Sequence, residues 1–524
     1  MFRKGRLTPL VATVAVLALA ACGDEDPVGV DTAPAQPTIS SVTLSGGALV
    51  VIWSSVSDAT SYDVQRQAAT SGAAFTTIAP DVTGTEYTDD TVTPGSTYNY
   101  RVIAKNASGS SDPSNPVLGD VPEELPAEAS LSGEIDDDRV LSADTTYFIQ
   151  GIVTVLDGAS LTIPAGTLLL GDVNITPSAL IVRQGGQLFS NGTEEAPVIF
   201  TSEAPAGERE RGDWGGVVLN GRSICNFPAA ECVGEGSSGQ YGGDVLDDNS
   251  GSIVYTRIEF AGYEVSFGNE LNALTLNGVG SGTELHHIQT HYGSDDGFEW
   301  FGGTVDAKYL LATGISDDSF DYSTGWQGRG QFWIAQQDPD DADNGFEVDG
   351  NEDDSEATPF TDPTIYNVTL VGKGVDGAGG TAGESATGML IRLGAAGEIW
   401  NAIVTGFGTA GIDIDNQPTI DHGLSIRNSI FGQNFIETSD DDDGIDEAAF
   451  LSTGGWDNQV GVDPMLENPF DRVTPDFRPA GGSPALAGFA TPPDDGFFDA
   501  VDFIGGVDPA GTPWYDGWTT LAQN

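Results

Sequence analysis

The chain has 524 residues, 79 acidic against 19 basic side chains, and a formal net charge of −60. This charge argues against nucleic acid and anionic lipid headgroups as partners, because their phosphates would be repelled. A hydrophobic fraction of 39% excludes a wholly disordered chain, and the length predicts two or more domains, or one small domain and a long repetitive one. Such a charge suits an extracellular protein that meets divalent cations.

The first segment has the composition of a processing signal. Three basic residues, Arg3, Lys4 and Arg6, precede an apolar stretch, residues 10–20, that is too short for a stable membrane span. It ends in LAAC, which resembles the bacterial lipobox and implies cleavage before Cys22 and a diacylglycerol on its sulfur. An ordinary signal peptide with a chance cysteine is the alternative. The GDEDP that follows resembles the export signal of surface lipoproteins in the Bacteroidetes and their relatives, so we expect lipid anchoring at the bacterial outer membrane, on its exposed side.

Two further cysteines, Cys225 and Cys232, stand seven residues apart in the loop-like stretch CNFPAAEC. Cysteine pairs that lie close together in exported proteins usually form disulfides. A metal site would need more ligands nearby, and the surrounding sequence offers none of the right type. We therefore predict a local disulfide that pins a surface loop.

Residues 38–121 alternate apolar and polar side chains with the period of β-strands, separated by Gly, Ser, Thr and Asp turns. This pattern predicts a small β-sandwich. An early tryptophan, Trp53, and the later VTPGSTYNYRVIAKNASGSSDPS resemble a fibronectin type III domain. The resemblance implies that Tyr98 is the corner tyrosine, which hydrogen-bonds back across the sandwich, and that the domain is a spacer or a binding module.

The remaining chain, residues 131–524, is a series of short apolar strands broken by Gly, Asn and Asp, with no convincing amphipathic helix. Comparable strands recur every 20 to 26 residues, a period typical of a solenoid. These features together predict a right-handed parallel β-helix, whose coils stack about 4.8 Å apart. A β-propeller, the alternative, would need a period of about 40 to 45 residues. The fold class predicted for the whole chain is therefore all-β.

Several stretches also resemble known proteins. LDGASLTIPAGTLLLGD resembles the opening coil of exported β-helices, and GDWGGVVLNGRS and SDDGFEWFGGTVDAKYL resemble a poorly characterised group of bacterial surface β-helix proteins. The later VDPMLENPFDRVTPDFRPAGGSPAL resembles the closing stretch of pectin-lyase-like β-helices. The resemblance implies the fold and a surface location, but no activity, because β-helices host lyases, hydrolases, adhesins and passive stalks.

An acid–aromatic–acid phrase occurs three times in this region, as SDDGFEWFGG, SDDSFDYSTG and DNGFEVDG. Their phenylalanines, Phe298, Phe320 and Phe346, are 22 and 26 residues apart. On successive coils, like charges about 4.8 Å apart would repel by roughly 3 kcal/mol at an effective dielectric near 20. Lysine is scarce and exposed carboxylates rarely stay neutral, so Ca²⁺, with six to eight oxygen ligands, is the expected remedy. The alternative is that the phrases are out of register and the acids point apart into water. The predicted calcium ligands are Asp295, Asp296, Glu299, Asp317, Asp318, Asp321, Asn344 and Glu347.

Two enzymatic functions need consideration. A pectate-lyase-like reaction requires Ca²⁺ and an Arg or Lys base, and Arg329, in GWQGRGQFW, is the candidate; pairing of Arg329 with a neighbouring carboxylate is the alternative. A polygalacturonase-type hydrolase requires paired carboxylates. The SDDG and DHG sequences resemble parts of its motifs, but they lie more than one hundred residues apart, and we interpret the match as coincidence.

Aromatic residues are concentrated between the first and third phrases. Exposed rings there, Trp300 and Trp326 above all, could form a platform that stacks on sugar faces. The alternative is that large residues fill the interior of the β-helix as stacked ladders, and the three phenylalanines of the phrases are expected to form one.

Three of the four histidines, His286, His287 and His291, lie close together in the sequence. On a straight strand His287 and His291 share a face but lie about 13 Å apart, and His286 faces the other way. One Zn²⁺ cannot bind all three. We therefore predict scattered surface histidines.

The sequence supports a surface-anchored protein that binds or adheres to an extracellular polysaccharide or other surface ligand in a Ca²⁺-dependent manner, without an organic cofactor and in contact with the membrane through its lipid only. A polysaccharide lyase or glycoside hydrolase, and a structural component of the envelope, are the alternatives. The predicted organisation is a lipoprotein signal peptide at 1–21, an acidic tether at 22–37, a fibronectin type III-like domain at 38–121, a linker at 122–130 and a right-handed parallel β-helix at 131–524.

Overall fold

The computed structural model describes residues 33–45, 47–69, 74–121, 127–229, 232–266, 269–374, 384–432 and 444–522. The predicted signal peptide and Cys22 lie outside these residues. The chain divides into two compact units, Met1–Leu125 and Pro126–Asn524. Strands account for 45% of the described residues and helices for 4%, so the predicted all-β fold class is confirmed.

The first unit is a β-sandwich of antiparallel strands in two sheets. Its core contains Trp53, whose ring lies 5.5 Å from that of Tyr62 in an edge-on arrangement. The backbone N–H of Thr93 donates a hydrogen bond to the Tyr98 hydroxyl at 3.2 Å, as expected of a corner tyrosine. The strands are Ile39–Ser45, Ala48–Trp53, Ser61–Ala68, Thr76–Val82, Glu86–Asp89, Ser96–Asn106, Gly109–Ser110 and Val117–Val121.

The second unit is a parallel β-helix. Its main sheet has 24 strands, and each strand pairs in parallel with strands of neighbouring coils. The strands of this sheet are Ala127–Ile135, Arg139–Val140, Thr145–Val155, Ser160–Pro164, Leu168–Gly171, Ala179–Val182, Gln187–Asn191, Val198–Ser202, Val217–Asn220, Gly251–Glu259, Leu274–Asn277, Glu284–His291, Phe298–Phe301, Ala307–Thr313, Phe320–Ser323, Arg329–Gln336, Ala342–Asp349, Thr364–Val371, Glu384–Arg392, Glu398–Thr405, Asp413–Ile414, Ser425–Arg427, Ile430–Phe431 and Gln459–Val460.

In the central coils, each turn of the β-helix contributes two of these strands, which pair with their counterparts one coil away. Ala307–Thr313 pairs with Glu284–His291, while Phe320–Ser323 pairs with Phe298–Phe301. The paired residues of these coils are 22 positions apart, as in Phe298 and Phe320. Because the side chains alternate between the interior and the surface, equivalent residues form columns along the axis.

Shorter strands and helices lie outside the main sheet. Antiparallel strand pairs join Val233–Gly234 to Gly239–Gln240, Tyr263–Ser266 to Asn269–Leu271, and Leu466–Asn468 to Asp476–Pro479. The helices are the 3₁₀ turns Glu235–Ser237 and Pro484–Leu486 and the α-helices Gln417–Asp421 and Glu447–Leu451. None of the helices in the described part of the chain is long and apolar enough to cross a membrane.

The C-terminal segment packs against the outside of the coils. Phe477 lies in an apolar cluster with Leu311 and Ile334. Further along, Gln289 Nε2 donates a hydrogen bond to the Thr520 carbonyl at 2.6 Å, and the Thr520 N–H donates to Gln289 Oε1 at 2.9 Å. The segment therefore covers polar and apolar side chains on one face of the β-helix.

Candidate functional site

The coils bring the three acid–aromatic–acid phrases into register. Phe298 pairs with Phe320, and Phe320 pairs with Phe346, in neighbouring parallel strands. All three rings are fully buried, with centroids 5.3 Å and 5.6 Å apart along the series. The predicted phenylalanine ladder is thus confirmed, and the acids that follow each phenylalanine must form a column of their own.

That acidic column contains Glu299, Asp321 and Glu347. The equivalent position holds Thr275 one coil before the column and Leu390 one coil after it. The uninterrupted run of acids at this position therefore spans three consecutive coils, and Leu390 separates it from Asp413 on the coil after that.

A parallel column lies two residues before each phenylalanine. Asp296 Oδ1 accepts a hydrogen bond from the backbone N–H of Asp318 at 3.0 Å, and Asp318 Oδ1 accepts one from Asn344 at 2.6 Å. One coil earlier, Asn272 Oδ1 accepts from the Asp296 N–H at 3.0 Å. An amide oxygen makes this bond as well as a carboxylate does, so the bond itself does not require the negative charge.

The two columns and the acids beside them form one group, which we call the acidic ladder. In four overlapping triads, the carboxylate oxygens of three residues approach within 4.8 Å of one another. Two are outer triads, Asp295–Asp296–Asp317 and Asp317–Asp318–Asp343, and two are inner triads, Asp296–Glu299–Asp321 and Asp318–Asp321–Glu347. The ladder consists of the residues of these triads and Asn344.

From the sequence we expected exposed carboxyl groups, but three acids of the inner triads are buried. Asp296, Glu299 and Asp318 are buried, with exposed fractions of 7%, 5% and 4%. The expectation was wrong because the coils place these acids on or beside strands, where neighbouring coils cover them.

Burial and mutual repulsion raise the pKa values of the ladder acids. Burial, followed by the charge of Asp317, raises the pKa of Asp295 to about 8. Burial, followed by the charge of Asp343, raises the pKa of Asp317 to about 6. For Asp296 and Glu299, burial and then the charge of Asp321 hold the pKa well above its usual range. A fully ionised ladder therefore needs positive charge close by.

The ladder ends at two residues, Asn272 and Arg392, that were not predicted from the sequence. Asn272 Nδ2 donates a hydrogen bond to Glu299 Oε2 at one end. At the other end, the Arg392 guanidinium contacts Glu347 and lies 2.8 Å from Asp349 Oδ1. Because basic residues are scarce in this region, Arg392 was one of the few candidates for a counter-charge to the acids. Its distance in sequence from the phrases prevented a prediction that it lies beside them.

Glu299, Asp321 and Glu347 of the inner triads line a cleft of about 510 Å³, which we call the acidic cleft. Seven carboxylates and three aromatic rings contribute to its walls, and no basic side chain is among the described residues that line it. Burial, followed by the charge of Glu270, raises the pKa of Glu235 on this wall to about 7. The lining comprises Phe227, Val233, Gly234, Glu235, Tyr241, Glu299, Phe301, Asp321, Ser323, Thr324, Glu347, Asp349, Gly350, Glu352 and Asp353.

One wall of the cleft is the loop closed by a disulfide between Cys225 and Cys232. The loop is bound to the coils beneath it, because the Asn226 N–H donates to the Thr324 carbonyl at 3.0 Å. Asn351 Nδ2 also donates to Asn226 Oδ1 at 2.9 Å. The disulfide therefore pins a loop that shapes the cleft.

The tryptophans that we predicted to form a surface platform lie in the interior. Trp300 and Trp326 are both fully buried, and their rings stack with centroids 5.1 Å apart. Trp300 also stacks on Trp333 at 5.1 Å. The prediction was wrong because these rings fill the wide core of the β-helix, and neither can meet a sugar from solvent.

Arg329, the candidate catalytic base, is paired with two carboxylates. Its guanidinium lies 2.5 Å from Asp306 Oδ2 and 2.6 Å from Asp495 Oδ2. The hydrogen bond to Asp306 is the main contribution that raises the Arg329 pKa, which is the opposite of what a base requires. It is also not among the residues that line the acidic cleft.

We expect Arg329→Gln to lower the free energy of unfolding by about 1 kcal/mol at most, because its ion pairs with Asp306 and Asp495 are partly exposed and are screened by solvent. The variant should bind ligands at the acidic cleft as the unchanged chain does. Chemical denaturation and ligand titration of both proteins check this. A ligand affinity that falls while stability is retained would restore Arg329 to the site.

The histidines depart from the straight strand that we assumed. His287 has a φ of 53°, so the strand bends there, and the Nδ1 atoms of His286 and His287 lie 2.9 Å apart. His291 is buried, with Nδ1 2.6 Å from Thr313 Oγ1, and burial lowers its pKa to about 4. The prediction of surface histidines was therefore wrong for His291. No group of metal-ligating side chains in the described residues includes a histidine.

Comparisons with known proteins identify both units. Residues 133–453 match the pectate-lyase-like β-helix domain, and residues 32–120 match the fibronectin type III domain. The chain belongs to the pectate-lyase-like β-helix family. A fibronectin type III domain joined to a member of this family suggests a surface or carbohydrate-related protein.

Several solved structures match one part of the chain, and three of them each cover less than a fifth of it. A fibronectin-III-like protein from Clostridium thermocellum is 31% identical, with 17% of this chain and 91% of that one covered and a TM-score of 0.15. Titin module A71 from human cardiac muscle is 25% identical, with coverages of 16% and 89% and a TM-score of 0.13. The twitchin kinase region from C. elegans is 24% identical, with 17% of each chain covered and a TM-score of 0.15. No curated protein sequence matches the chain.

Proposed function

We propose that this protein is a bacterial cell-surface lipoprotein, anchored to the outer membrane through lipid on Cys22, that binds an extracellular polysaccharide through Ca²⁺ held by the inner triads of the acidic ladder. The observation that carries the proposal is the register of the inner acids, Glu299, Asp321 and Glu347, at the floor of an open cleft. The fibronectin type III-like unit is then a spacer between the anchor and the β-helix.

The ligand chemistry of the ladder favours calcium. All of its side chains offer oxygen atoms, and none offers nitrogen or sulfur donors of the kind that select zinc or copper. Ca²⁺ accepts six to eight oxygens in flexible geometry, which suits carboxylates spaced by the coil repeat. A bound cation would also offset the repulsion between the ladder carboxylates, because it lowers the pKa of each carboxyl group around it.

The cleft has features suited to a sugar. Phe227 and Phe301 are half-buried on its walls, and Tyr241 packs beside Phe301 with ring centroids 6.4 Å apart. Carboxylates on the rim, such as Glu352 and Asp353, accept hydrogen bonds from hydroxyl groups. A calcium ion on the ladder would also bridge to oxygens of the ligand. Such a cation is required for an acidic glycan, because no basic side chain among the described lining residues offsets its charge.

An enzymatic function remains the second candidate, since paired carboxylates with raised pKa values can act as general acid and base. In glycoside hydrolases, however, the two carboxyl groups stand about 5 to 9.5 Å apart to flank the scissile bond. The ladder groups approach within 4.8 Å in threes, which suits a shared cation better. Release of reducing or unsaturated sugar ends from a polysaccharide panel would establish catalysis.

We expect the purified chain to bind one class of polysaccharide on a glycan array in millimolar Ca²⁺, and to lose that binding in chelator. Glu299→Gln should weaken binding by about tenfold or more, which corresponds to the loss of about 1.4 kcal/mol. The matched control is Asp340→Asn, an exposed acid between the second and third phrases that does not line the cleft. Its affinity should not change.

Two results would count against the proposal. Glycan binding that persists in chelator would remove the role of calcium. The absence of binding to any glycan, with calcium present, would favour a structural component of the envelope.

A further inference from the structure

We infer that the acidic ladder holds two divalent cations per chain, in two equivalent inner sites bridged by the Asp321 carboxylate. The inference rests on the proposed function, because it assumes that the ladder is a cation site, and it adds the number of ions and the residue that couples them.

The first argument is the repetition of the inner triad. Asp296, Glu299 and Asp321 span the gap between the first and second phrases, and Asp318, Asp321 and Glu347 repeat the arrangement one coil later. In both triads, one acid lies two positions before the phenylalanine and two lie one position after it, on adjacent coils. Parallel strand register therefore makes two copies of one site, with Asp321 common to both.

The second argument is a buried oxygen without a partner. Asp321 Oδ1 is shielded from solvent and receives no hydrogen bond. Buried polar atoms are almost always satisfied, so an unpaired carboxylate oxygen in a ring of carboxylates indicates a ligand. Of the acids in the ladder, Asp321 is the one that both inner triads share, and a carboxylate with a free oxygen is suited to bridge two cations.

The third argument is the way in which the row ends. In the coil before the first phrase, Asn272 and Thr275 take the places of the acids, and in the coil after the third phrase Thr387 and Leu390 do so. Neither adjoining gap contains a complete triad. Among the coils that the structure describes, two gaps contain a complete inner triad and can hold an ion in this manner.

The charges of the inner sites agree with this number. The two triads contain five different carboxylates, and two divalent cations supply four positive charges. Arg392, which contacts Glu347 at the end of the row and is shared with Asp349, contributes the remaining cation. A single ion would leave at least two buried carboxylates without a counter-charge.

The outer triads supply the internal control. Asp295, Asp317 and Asp343 are half-buried, and none of them lines the cleft. Because the outer acids lie outside the cleft through which a ligand could complete the coordination of an ion, we assign no ion to them. Replacement of Asp343, which belongs to no inner triad, should leave both inner sites intact.

The test is to count the ions bound to the full chain by native mass spectrometry and calcium calorimetry after removal of all metal. We expect two Ca²⁺ per chain, bound in two steps because each ion repels the other. Glu299→Gln should retain one ion, Asp321→Asn should weaken both steps by at least tenfold, and Asp343→Asn should retain two. Circular dichroism confirms folding of each variant, and both Asn and Gln preserve the size of the side chain that they replace.

The outcomes separate the inference from the proposed function. One ion per unchanged chain, with glycan binding that still requires calcium, would overturn the two-ion inference alone. Loss of both ions in Glu299→Gln with a normal fold, or loss of one in Asp343→Asn, would also overturn it. No ion in the unchanged chain would overturn the role of calcium in the proposed function as well.

Discussion

Millimolar Ca²⁺ at pH 7.5 should raise the melting temperature of the metal-free chain by about 5 °C for the transition of the β-helix. An ion at one hundred times its Kd stabilises the folded state by about 2.7 kcal/mol, and 1 kcal/mol shifts the melting temperature of a large domain by about 2 °C. The double variant Asp296→Asn with Asp318→Asn should lose most of this rise. Asparagine retains the Oδ1 acceptor that each aspartate offers to the next coil, so the variant should still fold.

The melting temperature of the metal-free chain should also depend on pH, and it should fall as the pH rises. A carboxyl group whose pKa is raised in the folded state stabilises the fold when protonated and loses that contribution as the pH rises. For Asp295, with a folded pKa of about 8, the loss extends from about pH 4 to about pH 8. The metal-free chain should therefore melt at progressively lower temperatures across this range.

Calcium should oppose that trend, because the ion binds the ionised carboxylates and its stabilising effect grows with pH. The double asparagine variant without metal should melt higher than the unchanged chain at pH 7.5, because it lacks two buried carboxyl groups whose ionisation the fold disfavours. A melting temperature that does not change with calcium, chelator or pH would show that the ladder acids do not repel one another in the folded chain.

Trp300→Ala should destabilise the β-helix by about 3 to 5 kcal/mol, the usual cost of removing a large aromatic ring from a core. The ring of Trp300 is fully buried and stacks on both Trp326 and Trp333, so its loss leaves a cavity that the neighbouring coils cannot fill. Chemical denaturation of the variant measures the loss.

The matched control is Trp400→Ala. Trp400 is half-buried on the outside of the coils, where it stacks on Tyr366 with centroids 5.6 Å apart, and its removal should cost less than half as much. At temperatures where it remains folded, the Trp300→Ala chain should bind glycans normally. A folded variant that has lost only glycan binding would return Trp300 to the ligand site.

The burial of Trp300 could have been predicted from the sequence. In FEWF, Phe298 and Trp300 are two residues apart, and on a strand such residues share a face. A phenylalanine ladder in the core therefore implies a tryptophan in the core. Trp326 gave no such signal, because it lies in the turn STGWQG between strands, where no alternation applies.

The register of the acids followed from the repeated phrases, because the β-helix aligns equivalent residues whatever the length of the intervening loop. The 26-residue spacing to Phe346 accordingly keeps register with the 22-residue spacing before it. The cleft could not be predicted in this way. One of its walls is the loop that carries Cys225 and Cys232, which lies between the strands that end at Asn220 and begin at Gly251, outside the repeated phrases.

Arg392 shows the same limit. It reaches Glu347 and Asp349 from the next coil, and residues 375–383, outside the described part of the chain, separate it from the phrases. The sequence pattern alone does not show to which coil an isolated arginine belongs. The strand pairing of Asp349 with Arg392 places Arg392 at the end of the ladder.

The most direct measurement is a crystal structure of the chain grown in millimolar Ca²⁺, with anomalous data collected at a wavelength where calcium scatters. A cation site in the ladder predicts anomalous peaks about 2.3 to 2.6 Å from carboxylate oxygens of Glu299 and Asp321. A well-ordered ladder with no anomalous peak among its carboxylates would contradict calcium binding at this site.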